Sequence, residues 1–531
     1  MSRMHTAMNA SPARLTCLGL ALAALLPAAP CAALALTDMP PELATRLGGP
    51  AAASRLGTSL AAVGDFDGDG FQDIAIGAPA RAQGATSNAG AVYLVYGTSV
   101  GIPSPDFDAL PDAAVTTIAS GAAVANTALG VTLAAAGDSD GDGRDDLAIG
   151  SSLGEFNRST PGKVWIVRGR AARPASIDVD SDTGTTTVSG EIAGDGFGLA
   201  LAGGGDVNGD GRPDVAIGAV YANGFGGSTY VVYGAANPAP ALPAQLLNGT
   251  TGVTFTNSAG FDLSGIALAL GGDVNGDGID DLVIGALGLN DAANNYVGGA
   301  YVVFGQANGW ADTPIDLQSL AQGEASRILG TYYSASGADS AGSAVAILRD
   351  QNGDHIDEIV VADPDASPLG RGFAGAVGVV YGAATLPASL SFSDLDGPRG
   401  YRLYGAAAGD KLGNDVTTAD VNGDGIDDLV AAAVQRVDNT TLGTGRVFVH
   451  FGRAGEIAER DLAPWLAGRG NGEVYTPPPG TVDFGEVQGT CGATCPAGAR
   501  LLLGAAAENA DNGAVYVLTR SDRIFADGTE P

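Results

Sequence analysis

The stretch Asp-Phe-Asp-Gly-Asp-Gly-Phe-Gln-Asp, residues 65–73, decides how this chain is read. It puts carboxylates at loop positions 1, 3, 5 and 9 and a glycine at position 6. Oxygen donors at alternate positions of a tight turn suit a hard cation that takes six to eight oxygens, which is Ca²⁺. The stretch recurs as Asp138, Asp140, Asp142 and Asp146, and as Asp206, Asn208, Asp210 and Asp214. Two more copies hold Asp273, Asn275, Asp277 and Asp281, and Asp420, Asn422, Asp424 and Asp428. A weaker copy holds Asp350, Asn352, Asp354 and Glu358. About five cation sites are therefore expected, with the loop at 350–358 a weak or empty sixth. The backbone carbonyl at position 7 completes each intact set, from Phe71, Arg144, Arg212, Ile279 and Ile426. Position 3 is Asp in the first two copies and Asn in the others, which predicts modestly weaker sites in the latter.

Two other readings fail on the same residues. An EF-hand needs a bidentate Glu at position 12 and flanking helices. Position 12 here is Ile76, Ile149, Ile217, Ile284, Val361 or Ala431, each in a strand-like run. A plain Asp-Gly hairpin turn explains one Asp and one Gly, but not three or four oxygens at fixed spacing in five copies. In the weak copy His355 takes the place of the position-6 glycine.

Working outward, the first Asp of each copy falls at 65, 138, 206, 273, 350 and 420, a period of 67 to 77 residues. Each unit has a small-residue strand before the loop, as at 59–63, and an apolar strand after it, as at 74–77 and 147–150. An aromatic and β-branched strand follows, as at 92–97 and 164–169, then a fourth such as 115–118. Alternation with period two and glycine boundaries argue for strands. A seventh unit has strands near 484–487, 501–504 and 514–518, with Cys491 and Cys495 where the acidic loop would be. A disulfide between these cysteines is expected to staple that hairpin; a zinc site would want a nearby histidine. Seven units of four short strands, each with two apolar faces, predict an all-β fold: a seven-bladed β-propeller. Residues 44–47 match a fourth strand but precede the first unit, so they are expected to close the ring on the seventh blade. The propeller is expected to take residues 36–520, leaving 521–531 as a tail.

Composition bounds the partners. The chain has 531 residues, 82 of them glycine, 45% hydrophobic, and a net charge of −33. Such a polyanion repels phosphate backbones, so nucleic acid is excluded as a partner. Five Ca²⁺ ions would cancel roughly ten of those charges. Arg3 and Arg14, an apolar run at 15–26 and Ala33-Leu34-Ala35 read as a secretory signal ending near residue 35. Cys31 is a poor lipid-attachment site because Pro30 precedes it. No later stretch of 18 apolar residues suggests a membrane span. A secreted, periplasmic or cell-surface monomer is expected.

The repeat resembles the FG-GAP repeat family of integrin α-subunit propellers and of many secreted bacterial proteins. Phe197-Gly198 and Phe484-Gly485 carry the first half of that name, with Leu56-Gly57, Leu129-Gly130 and Leu412-Gly413 as variants. Gly77-Ala78-Pro79 carries the second half in full, and Gly218-Ala219 and Gly285-Ala286 in part. The resemblance covers residues 44–520 and implies Ca²⁺ loops joining the first and second strands of each blade. Nothing resembles the integrin inserted domain, legs or membrane span.

Catalytic patterns are scarce. His355 and His450 are the only histidines beyond His5, and His450 sits in an apolar strand as a packed or edge residue. No nucleophile elbow, Walker loop or His-Glu-x-x-His occurs. Carboxylates abound, which leaves a polysaccharide-active or other hydrolytic enzyme as the alternative, but the loops account for nearly all that cluster. A binding or adhesion module is the favoured reading, with structural Ca²⁺ and an unknown protein or glycan ligand. Its face is expected on the second-to-third strand connections at 79–90, 151–161, 220–228, 287–299 and 432–445, which carry Tyr221, Phe225, Asn290 and Tyr296.

Overall fold

The computed structural model describes residues 33–35, 44–48, 54–99, 114–122, 124–151, 161–293, 295–331, 340–395, 397–435, 443–452, 461–467, 469–477, 481, 484–490, 499–505 and 514–519. Seven sheets, antiparallel through their four main strands, form seven blades of a β-propeller. Blade 4 shows the plan. Ser264–Leu270, Leu282–Ala286, Gly299–Val303 and Ala325–Leu329 pair in order, each antiparallel to the last. The first strands of adjacent blades touch around the whole ring, and that of blade 7, Phe484–Thr490, returns to that of blade 1, Leu60–Gly64.

The sequence explains the wedge. First strands are small, as in Leu-Ala-Ala-Ala-Gly at Leu133–Gly137, because they converge on the axis. There they line a channel of about 1010 Å³ with Ala62, Ala134, Leu201, Leu268 and Ile347 among its walls. Further out, large side chains fill the space between blades. Trp165 of blade 2 is buried with Leu94 and Tyr96 of blade 1, and Phe255 meets Trp310 edge-on at 5.2 Å. Ala44–Gly48 pairs antiparallel with Ala514–Thr519, so the ring closes as the sequence predicts.

Among the described residues, five blades carry a fifth, outer strand that the four-strand expectation lacks. The connection between third and fourth strands of one blade reaches back and lies parallel on the fourth strand of the preceding blade. Ser176–Asp178 does so on blade 1 and Ala241–Pro243 on blade 2. Ala33–Ala35, just ahead of the closing strand, plays the same part on blade 6, where Ala33 pairs with Val474, although the sequence pattern assigns these three residues to the end of the signal and begins the propeller at 36.

The topology sorts the loops. Acidic loops and third-to-fourth connections share one rim; second-to-third connections and the crossings to the next blade share the other. Among the described residues, no helix is long and apolar enough to cross a membrane.

Candidate metal centres and the opposite rim

The acidic loops are shaped by their own amides. In blade 1, Asp65 Oδ1 accepts from the N–H of Gly68 and Asp69 at 2.8 and 2.9 Å, and its Oδ2 from Gly70 at 2.9 Å. Asp67 Oδ1 accepts from Asp69 N–H, and Asp69 Oδ1 from Phe71 N–H. Asp273, Asn275 and Asp277 repeat these bonds in blade 4, ending on Ile279 N–H. The chain must turn left-handed at position 6: φ is 87–89° at Gly70, Gly143, Gly211, Gly278 and Gly425. Only glycine adopts that region without a steric cost. His355 is forced there at φ 71°, and its ring Nδ1 lies 3.1 Å from Asp350 Oδ2.

Carboxylate oxygens of Asp65, Asp67 and Asp73 lie within 4.8 Å of one another, as do those of Asp138, Asp140 and Asp142. Like charges that close repel unless a cation or a proton intervenes. The donors are all oxygen, which suits a hard divalent ion rather than a thiophilic one. The residues therefore fit the cation that the loop pattern implies.

Position 9 does more than the loop pattern reveals. Asp73, Asp146, Asp214, Asp281 and Asp428 are fully buried. In each, Oδ1 accepts from the N–H of the glycine that follows the third strand: Gly97, Gly169, Gly234, Gly305 and Gly452. The Oδ2 takes the amide at loop position 2, as Phe66 to Asp73 and Val274 to Asp281. The acid thus fastens its loop to the third strand. Burial pushes these carboxyls up, to about 8 in Asp73, Asp214, Asp281 and Asp428 and about 7 in Asp146, against the bonds that favour ionisation. Glu358 is also pushed to about 8 by burial, but its two oxygens accept from Gln351 and Asn352 N–H, both in its own loop.

Position 8 was missed by sequence reasoning. Asp145 of blade 2 accepts from Asp65 N–H in blade 1 at 2.7 Å. Asp280 caps Asp206 at 2.8 Å, Asp357 caps Asp273 at 3.0 Å, and Asp427 accepts from Arg349 N–H. Each acid bonds the backbone of the preceding blade at or beside its loop's first residue. The paired acids 145–146, 280–281, 357–358 and 427–428 are the signal that would have found them.

The opposite rim has another character. Of nine exposed large apolar side chains among the described residues, Val124, Ile192, Phe225, Phe261, Tyr296, Leu369 and Phe373 lie there, and only Leu246 and Leu466 lie with the acidic loops. Phe225 and Phe261 stack with centroids 5.8 Å apart, and Tyr221 meets Phe225 edge-on at 6.0 Å. Both phenylalanines hold left-handed backbone, φ 74° and 69°. Phe225, Tyr296 and Phe373 occupy one position on three successive blades, two residues before the glycine that bridges to the next blade. Asn290 bridges Tyr296 within its loop. Much of 151–161 and 432–445, and both Cys491 and Cys495, lie outside the described residues. His450 is buried and stacked between Tyr401 and Trp465.

The chain that closes this ring of seven blades carries FG-GAP repeats. The family model for the FG-GAP repeat matches residues 56–95 and 197–233, each running from the Leu-Gly or Phe-Gly pair to the third strand. The chain is similar to integrin alpha-PS2 of Drosophila melanogaster, 30% identical over 244 residues, which is 44% of this chain and 15% of that protein. It is similar to integrin alpha-V of Gallus gallus, 32% identical over 260 residues, 47% of this chain and 22% of the relative. Phosphatidylinositol-glycan-specific phospholipase D of Homo sapiens is 25% identical over 421 residues, 75% of this chain and 46% of that enzyme. The matched segment is less than half of each relative's length.

Proposed function

We propose that the chain is an exported binding module of adhesion type, with Ca²⁺ in its acidic loops as a structural ion. The loops of blades 1–4 and 6 would hold the ion through positions 1, 3, 5, 7 and 9, and the ion would neutralise carboxylates that burial otherwise disfavours. The recognition face is the opposite rim, where a protein or glycan ligand would meet the exposed aromatics. The concentration of exposed apolar side chains on that rim carries this reading. Exposed apolar groups cost solubility and are a mark of interaction sites. The test is binding of the immobilised chain to protein and glycan panels, with Phe225→Ala/Phe261→Ala as the probe. Binding lost in the variant, with its melting temperature unchanged, is the expected result; undiminished binding overturns the assignment of the face. A Cys491–Cys495 disulfide belongs to the same reading, and mass spectrometry finding both thiols free in exported protein removes it.

The match to the phospholipase over most of this chain favours a hydrolase as second reading. Turnover of phosphatidylinositol-glycan or of a polysaccharide panel by purified chain would establish it.

A further inference from the structure

Position 3 separates the loops into two electrostatic kinds. Asn208, Asn275 and Asn352 donate their Nδ2 to the position-5 carboxylate, at 3.3, 2.9 and 3.1 Å, and Asn422 donates to the position-9 Asp428 Oδ1 at 3.3 Å. Asp67 and Asp140 have no hydrogen to give, and two adjacent carboxylates would face each other alone. An arginine answers in each case. Arg173, from the third-to-fourth connection of blade 2, donates Nε to Asp67 Oδ2 and Nη2 to Asp69 Oδ2, the latter at 2.6 Å. Its guanidinium also lies 4.6 Å from the centroid of the Tyr96 ring. In blade 2 the arginines are its own and looser: Arg168 Nε is 3.9 Å from Asp140 Oδ2, and Arg144 Nη1 is 3.1 Å from Asp142 Oδ2.

The Oδ1 atoms of Asp67 and Asp69 are already committed to loop amides. Both oxygens of Asp65 and of Asp73 likewise accept from amides, so the Oδ2 atoms of Asp67 and Asp69 are the oxygens of this loop least engaged by the backbone, and Arg173 holds both. We propose that Arg173 is a built-in competitor for the cation of the first loop, because the guanidinium and the ion claim the same two carboxylate oxygens. This rests on the calcium reading of the loops. A Ca²⁺ ion needs six to eight oxygens, so it must displace the guanidinium or take Asp67 and Asp69 through the oxygens that already accept from loop amides. Arg173 cancels one of the four negative charges of the first loop and leaves three, the number of ligand acids at positions 1, 5 and 9 of the loops that carry Asn at position 3. The extra aspartate of the first loop therefore gives no tighter site, contrary to the charge count alone. Displacing Arg173 would in addition loosen a clamp between blades 1 and 2, which couples ion binding to that junction.

Calorimetric titration of the full chain with Ca²⁺ tests this, with Asp65→Asn identifying the binding step of the first loop. Arg173→Gln is expected to tighten that step about tenfold, since it removes two charge-assisted hydrogen bonds that are partly screened by solvent. The same variant lowers the melting temperature in EDTA, so the gap between EDTA and Ca²⁺ widens. Arg173→Lys, which keeps the charge and loses the fork, is expected to fall between. A first-loop step that is unchanged or weaker in Arg173→Gln overturns the proposal and leaves Arg173 a plain clamp. Wild-type chain that binds no Ca²⁺ overturns the calcium reading itself, before any variant is compared.

Discussion

On the acidic rim, five glycines in five blades share φ within 87–89°, and five buried acids repeat one pair of bonds. On the opposite rim the residue before the bridging dipeptide is Asn88, Phe225, Tyr296 or Phe373. The bridging backbone repeats there too, since Gly90, Gly227, Gly298 and Gly375 all bridge to the next blade. What varies is the side chain it displays. One rim is fixed by hydrogen bonds that every blade must make; the other holds a constant frame for changing contents. A left-handed phenylalanine is a poor choice for stability, so its presence points to a use outside the fold.

The widest contrast should come from removing the ion. Chelation with excess EDTA is expected to lower the melting temperature on the order of 10 °C, because several sites bind only the folded chain. An unchanged melt of protein shown to be metal-free would erase the special status of the acidic rim. The chelated chain should also respond to pH. The position-9 carboxyls titrate near 7 to 8 when folded, against 3.8 for ordinary aspartate. Between those values the folded chain holds more protons than the unfolded one, so its stability falls as pH rises from about 4 to about 8. With Ca²⁺ bound the slope should vanish, and melts at pH 5 and pH 8 in both conditions decide it.

Next in size is Asp281→Ala, expected to cost about 2–5 kcal/mol because it strands the buried N–H groups of Val274 and Gly305. Asp280→Ala should cost less, about 1–3 kcal/mol, through the half-buried amides of Asp206 and Gly272. Denaturant unfolding measures both, and equal costs would mean that the bonds within a blade and between blades count alike. The smallest stability effect belongs to the other rim. Phe225→Gly relieves a left-handed side chain and should leave stability unchanged or raise it by about 1 kcal/mol. A loss above about 2 kcal/mol would make Phe225 a structural residue, and the two rims would no longer differ in kind.

Most of the ring was legible because each blade repeats a long, alternating pattern around one dense motif. Even the closing strand at 44–47 could be placed, since it matches a fourth strand in the wrong position. The fifth strands were not legible. Ser176–Asp178 and Ile315–Asp316 are too short to show alternation, and each takes its partner from another blade. The role of Asp145 was not legible either, because its partner Asp65 is 80 residues away. The stack of Phe225 on Phe261 was hidden for the same reason: one lies on a blade, the other on the crossing to the next. Periodicity reports what each repeat contains, and is silent on what one repeat does to its neighbour.

Pairing Ala44–Gly48 with Ala514–Thr519 also sets a clock on biosynthesis. The first of these segments leaves the ribosome some 470 residues before the second, a wait on the order of half a minute or more at ordinary elongation rates. Until then an unpaired edge is on offer to any passing strand. Arg46 lies in its centre, a charge of the sort that discourages such pairing. The last blade is thus completed by the earlier-made of its two pairing strands, and nascent chains stalled before residue 514 should lack the cooperative melt of the finished ring.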